Sequence, residues 1–254
     1  MIHPTAIIDP SAELSSDVEV GPYAIIGPRV RIGRGTSIGP HAVLRGPTDI
    51  GCDNRIFQFA SVGEDPQDKK YAGEETRLEV GDRNVIREFV TLHRGTAQGS
   101  GVTRIGSDNL FMAYVHIAHD CVIGDNVIMA NATTLAGHVS VEDWAILGGF
   151  TIIHQFCRIG AHCFSGGGSV VAQDIPPFVL VNGHPAHPRG INSEGLRRRN
   201  FAPEVIAAIK QGFRLLYKSK QRLAEALVSM RALGSPEVDY LADFVANSPR
   251  GFVR

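Results

Sequence analysis

The 254-residue chain has no apolar run of 18 residues, only four cysteines, and almost no net charge: −1, from 25 Lys and Arg against 26 Asp and Glu. The missing apolar run excludes a helix that spans a bilayer. No leader with a charged start, an apolar middle and a small-residue cleavage site stands at the N-terminus, so a soluble, cytoplasmic protein is expected. The balanced charge argues against a nucleic-acid-binding protein as a whole. Cys52, Cys121, Cys157 and Cys163 make no C-x-x-C pair, which removes the usual metal and redox motifs.

What is present is a period of six. Counting by six from Ile2 gives Ile8, Leu14, Val20, Ile26, Ile32, Ile38, Leu44, Ile50, Ile56 and Val62, all aliphatic. A second series from Ile105 runs through Phe111, Ile117, Ile123, Met129, Leu135, Val141, Leu147, Ile153 and Ile159 to Ser165 and Val171. Three such sides make one coil of a solenoid wound around an apolar axis, so residues 18 apart stack at the strand spacing of about 4.8 Å. The second residue of many hexads is Gly (Gly21, Gly33, Gly39, Gly81, Gly106), as expected at corners. Three of the cysteines fall in a slot otherwise filled by Ala24, Ala42 and Ala60, and are expected to be small buried fillers.

Between Val62 and Val80 the axial slots hold Asp68 and Glu74, so 63–77 is expected to be a loop thrown outward. A second excursion at 94–103 contains Gly95, Gly99 and Gly101 and shifts the count, since Leu92 to Ile105 is thirteen residues. Long loops on a rigid scaffold carry function. The repeat occupies 1–185. It stops at Gln173 to Pro177, and Gly183, Pro185, Pro188 and Gly190 mark an irregular linker. Residues 186–254 read as a helical domain, with Ser193 as a cap, Pro203 at a helix start, and further helices around Leu223–Leu233 and after Pro236. Between 186 and 222, nine Lys or Arg face two Glu, a net +7.

Hexads starting at Ile117, Leu135 and Ile153 form one face three coils high. His119, His138 and His154 lie within one residue of a vertical line on it, Gly137 lies one coil above His119, and His116 ends the preceding side at the corner. Imidazole is the usual proton shuttle near neutral pH, and Asp120 is placed to orient His119. Histidines from successive coils also suit a zinc site of the hexapeptide-repeat carbonic anhydrase type. His3, His41, His93 and His187 show no stacked partner. A further line, Ala113, Asn131, Gly149, Gly167, loses its side chains upward and opens a groove in which an extended apolar chain fits.

The string His116-Ile117-Ala118-His119-Asp120-Cys121, with Leu135-Ala136-Gly137-His138-Val139 and Ile153-His154-Gln155-Phe156, resembles the UDP-N-acetylglucosamine O-acyltransferase family of lipid A synthesis. The likeness extends through Gln67-Asp68-Lys69-Lys70-Tyr71, Asn192-Ser193-Glu194-Gly195-Leu196-Arg197-Arg198-Arg199 and the C-terminal helices. It implies a mainly β fold, a left-handed parallel β-helix followed by a C-terminal α-helical domain. It also implies a homotrimer with sites between subunits, and transfer of an (R)-3-hydroxyacyl group from the phosphopantetheine of acyl carrier protein to the glucosamine 3-hydroxyl. His119 would be the general base, Asp120 its orienting partner, and the Gly137 N–H the oxyanion donor. His116, His138, His154 and Gln155 would line the site; Gln67, Asp68, Lys70, Asn192, Glu194, Arg198 and Arg199 would meet UDP-N-acetylglucosamine. No metal, further cofactor or covalent intermediate is implied. The basic helices would meet the acidic carrier protein, and Gly167 in the groove implies a longer acyl chain. Gly183-His184-Pro185-Ala186 departs from the family pattern, where Asn commonly follows the glycine. A related N-acyltransferase acting on a 3-amino sugar nucleotide, expected to carry an extra uridine-binding domain, and a non-catalytic scaffold are the remaining readings.

Overall fold

The computed structural model describes residues 1–254. Three parallel sheets of nine, eight and ten strands form the sides of a prism, and each strand pairs with the strand one coil away. Ile25 pairs with Val43, Glu13 with Arg31 and Glu19 with Ser37, the 18-residue ruler on all three sides. The axial residues Ile26, Leu44, Ile86, Leu92, Ile117, Leu135 and Ile153 are buried in one continuous core. Burial of that column stabilises the prism at roughly 25 cal/mol per Å² of apolar surface.

The corners are not made by glycine. The fourth residue of the hexad turns the chain, and it adopts positive φ with an ordinary side chain at Tyr23, Arg29, His41, Asp120, His138, Trp144 and Phe156, among others. The second-position glycines answer to close approach instead. A Cβ on Gly33 would stand 2.7 Å from the Gly51 carbonyl carbon, and one on Gly39 would stand 2.7 Å from the Gln58 nitrogen. The coil above lies too near for a side chain.

Fourth-position residues also stack. Tyr23, His41, Phe59, Phe89 and Tyr114 form a ladder up one edge with centroids 4.9 to 5.3 Å apart. His41 therefore has stacked partners that the sequence reading denied it. Two coils carry the expected outward loops: Val62 pairs with Leu92, thirty residues on, and Leu92 with Ile117, twenty-five on. Across these enlarged coils the small filler slot holds Asn54, Asn84 and Asn109, all buried. Each side-chain carbonyl accepts from a backbone N–H one coil away: Asn84 to Asn54 at 2.9 Å, Asn109 to Asn84 at 3.0 Å, Val127 to Asn109 at 2.7 Å. Cys121, Cys157 and Cys163 are buried and unpaired, as fillers should be.

The region expected to be an irregular linker is sheet. Val179–Asn182 adds a parallel strand beside Phe164–Ser165, and His187–Ile191 folds back antiparallel onto it, turning at Gly183 with φ +111°. The strands thus run to Ile191, past the boundary read at 185. Four helices follow: α1 (Ser193–Arg198), α2 (Pro203–Lys218), α3 (Leu223–Arg231) and α4 (Pro236–Ala246). Leu196, Ile209, Met230, Val238 and Leu241 form their own apolar cluster. No helix is long and apolar enough to cross a membrane.

Candidate active site

The hexad after Ile117 places His119 and Asp120 at one edge of the prism, and the next coil places Gly137 and His138 above them. The Asp120 carboxylate is wholly buried and lies 2.9 Å from His119 Nδ1. An ionised carboxylate only accepts, so Nδ1 carries the proton and the Nε2 lone pair is left free. Burial pushes the Asp120 carboxyl up, but hydrogen bonds from the Thr96 hydroxyl, His119 and the Thr96 amide outweigh it, and the group is held below its ordinary range.

His138 meets His119 edge to face at 5.1 Å and stacks on Phe156 at 4.5 Å. Its Nε2 lies 3.9 Å from Asp120. Burial lowers its pKa, opposed by the charge of Asp120 and, more weakly, of Asp68 from the outward loop. Gly137 packs on the imidazole: a Cβ there would come within 2.5 Å of His119 Cε1 and 2.7 Å of Nε2. Its N–H donates to no protein group. Third hexad positions stand outside the strand ladder, which is also why Pro4, Pro10, Pro22, Pro28 and Pro40 fit there.

His116 is not at the corner but on the flat side, within the strand His116–Ile117. Its Nδ1 lies 2.7 Å from the Thr91 hydroxyl, and its ring meets His93 edge to face at 5.2 Å. His93, read as unpartnered, thus extends the histidine series to the coil below. Burial lowers the His116 pKa to about 4, and likewise that of His162, whose ring stacks between Trp144 and Phe178. An unfolded chain protonates these rings near 6.5 while the folded one refuses the proton until about pH 4. Stability is therefore complete above pH 6.5 and falls across that window, by up to about 3 kcal/mol per ring. Denaturant melts at pH 7 and 4.5 should show this loss, and His116→Gln should lessen it. An unchanged pH dependence in that variant would contradict the assignment.

His154 and Gln155 share the edge but are exposed. The one side-chain hydrogen bond at His154 is between Nδ1 and the Gln155 carbonyl, 3.1 Å. Gln67 and Lys70 are exposed on the outward loop, where the Lys70 N–H donates to Asp68 at 2.9 Å. The buried Arg94 pins that loop, pairing with Asp65 and donating to Tyr71 at 3.1 Å and to the Gly63 carbonyl.

The remaining expected residues lie elsewhere on the same chain. Asn192, Glu194, Arg198 and Arg199 border a cleft of about 420 Å³ over Ile128, Ile146, Phe164 and Leu180, on another side of the prism. Asn192, not Ser193, caps α1: its Oδ1 accepts from Gly195 at 3.1 Å, while its Nδ2 donates to the His162 carbonyl at 3.0 Å. Glu194 pairs with Arg197 and Arg198, and Arg199 lies over Trp144. Gly149 and Gly167 stand on a third edge. Neither has positive φ, and a Cβ on either would meet only a backbone oxygen, at 3.2 and 3.3 Å. Packing does not require glycine there, so the bare surface is a property of the outside.

The family described as Udp N-acetylglucosamine O-acyltransferase, Domain 2, matches residues 174–253, and the bacterial transferase hexapeptide family matches 11–46 and 103–137. The chain is 58% identical to an acyl-(acyl-carrier-protein)–UDP-N-acetylglucosamine O-acyltransferase of Janthinobacterium sp. (strain Marseille), and 58% identical to that of Thiobacillus denitrificans. Each alignment covers 100% of this chain and 99% of the relative. Among solved structures, LpxA from Acinetobacter baumannii superposes with a TM-score of 0.96 at 49% identity, covering 100% of this chain and 99% of that one. LpxA from Bacteroides fragilis, a UDP-N-acetylglucosamine acyltransferase, gives 0.98 at 41%, covering both chains fully.

Proposed function

This chain belongs to the UDP-N-acetylglucosamine O-acyltransferase family, and from that premise we propose how its own residues move an acyl group from acyl carrier protein to UDP-N-acetylglucosamine in lipid A biosynthesis. His119 Nε2 takes the proton of the glucosamine 3-hydroxyl as that oxygen bonds to the thioester carbonyl carbon of an (R)-3-hydroxyacyl donor. The Gly137 N–H binds the resulting oxyanion. Collapse breaks the carbon–sulfur bond, and the phosphopantetheine thiolate leaves with the proton held on His119. The ester is made with no acyl-enzyme, and the only prosthetic group is the one on the carrier protein.

The observation that carries this reading is the Nδ1 bond to a buried carboxylate, which leaves one basic nitrogen facing outward beside an unclaimed backbone N–H. The sugar nucleotide would be held by Asp68, Gln67 and Lys70 at the histidine edge, with His116, His138, His154 and Gln155. Asn192, Glu194, Arg198 and Arg199 would act across from them, the arginines on its phosphates. In one chain these groups, and the groove at Gly149 and Gly167, occupy different sides of a prism whose faces each span up to ~20 Å of extended chain. A homotrimer with each site between neighbours would bring them together. The location is cytoplasmic, where carrier-bound acyl groups are made.

A metal reading has one observation in its favour: ligand atoms of His119, Asp120 and His138 lie within 4.8 Å of one another. Against it, the Asp120 oxygens already accept from Thr96, Ser100 and His119. Purified, chelator-treated protein incubated with UDP-N-acetylglucosamine and acyl carrier proteins of graded chain length should still form the ester, with a longer acyl chain preferred. Activity that disappears with the chelator and returns with zinc would overturn the acid–base assignment.

A further inference from the structure

The loop between His93 and Val102 ends on the catalytic carboxylate. Its own backbone closes on itself, with Gly99 and Gly101 donating to the Thr96 carbonyl at 3.1 and 3.0 Å, and Gly95 and Gly101 tie it to Arg77 on the neighbouring strand. Inside that closure sits Asp120. The Thr96 hydroxyl donates to Oδ2 at 2.6 Å, the Thr96 N–H at 3.1 Å, and the Ser100 N–H donates to Oδ1 at 3.0 Å. Thr96 is 1% exposed. Gly99 rests against the same carboxyl group, leaving no room for a Cβ. The Asp120 N–H is also held, by Thr103 Oγ1 at 2.8 Å.

Asp120 stands between two imidazoles, 2.9 Å from His119 and 3.9 Å from His138. A free carboxylate rotating about its Cβ–Cγ bond could serve either ring. Donors on the side away from His138 fix the plane of the group, and a carboxylate with three charge-assisted hydrogen bonds from one loop keeps one orientation. We propose that Thr96 and Ser100 are positioning residues for the transfer reaction: their loop clamps Asp120 toward His119 and so decides which histidine carries the outward-facing basic nitrogen. The inference rests on His119 being the base, as proposed above. The loop contributes nothing else to the corner, since it brings no side chain of its own to the outward face of His119.

The test is steady-state kinetics of Thr96→Val, Thr96→Ser and Gly99→Ala in the otherwise intact protein, with thermal melts of each. Thr96→Val removes one short hydrogen bond to a charged group and should lower kcat about tenfold. KM for both substrates should stay within about twofold, because the clamp touches neither substrate. Thr96→Ser restores the hydroxyl and should return most of the rate. Gly99→Ala, at an exposed loop tip with no positive φ, should lower kcat in the same way by displacing the carboxyl. In a His119→Ala background, Thr96→Val should make no further difference. Wild-type kcat in both Thr96→Val and Gly99→Ala, with His119→Ala inactive, would overturn the clamp alone. A loss in Thr96→Val that Thr96→Ser fails to repair would also overturn it. Full turnover by His119→Ala would instead remove the base assignment, whatever the Thr96 variants do.

Discussion

Replacing His119 with Ala is expected to lower kcat by ~10³-fold or more while leaving the thermal midpoint nearly unchanged, because the positioned general base supplies a factor of ~10²–10⁴ that no neighbour replaces. The imidazole is 14% exposed and touches mainly His138, Asp120 and the Gly137 backbone. None of the axial core depends on it. His138 does not inherit the task, since its Nε2 is 3.9 Å from Asp120 against 2.9 Å for His119 Nδ1. Single-turnover assays with saturating sugar nucleotide, alongside melting curves, read both quantities. Turnover within tenfold of the parent would exclude His119 as the base.

Asp120→Asn should behave differently, lowering kcat by ~10²-fold or more and also destabilising the protein by about 2–4 kcal/mol. The carboxylate receives Thr96 Oγ1, two loop N–H groups and His119 Nδ1, so an amide in its place turns an NH2 donor toward one of these donors. Without the negative acceptor, the His119 tautomer is no longer fixed. The charge is held below the ordinary carboxylate range, so its stabilising contribution is present above about pH 4 and is lost as pH falls through the folded value. The stability gap between parent and Asp120→Asn should therefore narrow in acid. A variant that is inactive but as stable as the parent would show that the loop does not lean on this carboxylate.

The coils were legible because a six-residue period with aliphatic axes has no other economical packing. The contact of His119 with His138 was legible because Ile105 to Val171 contains no insertion, so adding 18 gives the neighbour above. The same arithmetic failed at His93 and His41. Their stacking partners lie 25 residues from His93, at His116, and beyond two enlarged coils from His41, where the ruler no longer applies. The glycines were read as turning residues because positive φ is the commonest reason for Gly. The structure instead gives φ near +60° to side chains such as Tyr23 and Phe59, and reserves Gly for backbone crowding. Asp120's loop partners had no sequence signal, since nothing in the spacing of Thr96 and Ser100 says that their loop folds inward. The separation of Arg198 and Arg199 from the histidine edge was equally hidden, because it depends on where the helices rejoin the prism.

Twelve extra residues in one coil and seven in the next leave no trace in the pitch of the wall. The rings of Phe59, Phe89 and Tyr114 keep their spacing straight across both, and the asparagine series beneath them passes N–H groups from coil to coil without a gap. A polymer built this way separates its two tasks in inheritance: the outer segments are free to lengthen, shrink or change composition in descent, while the distance between His119 and His138 is set by a column of side chains that those changes never touch.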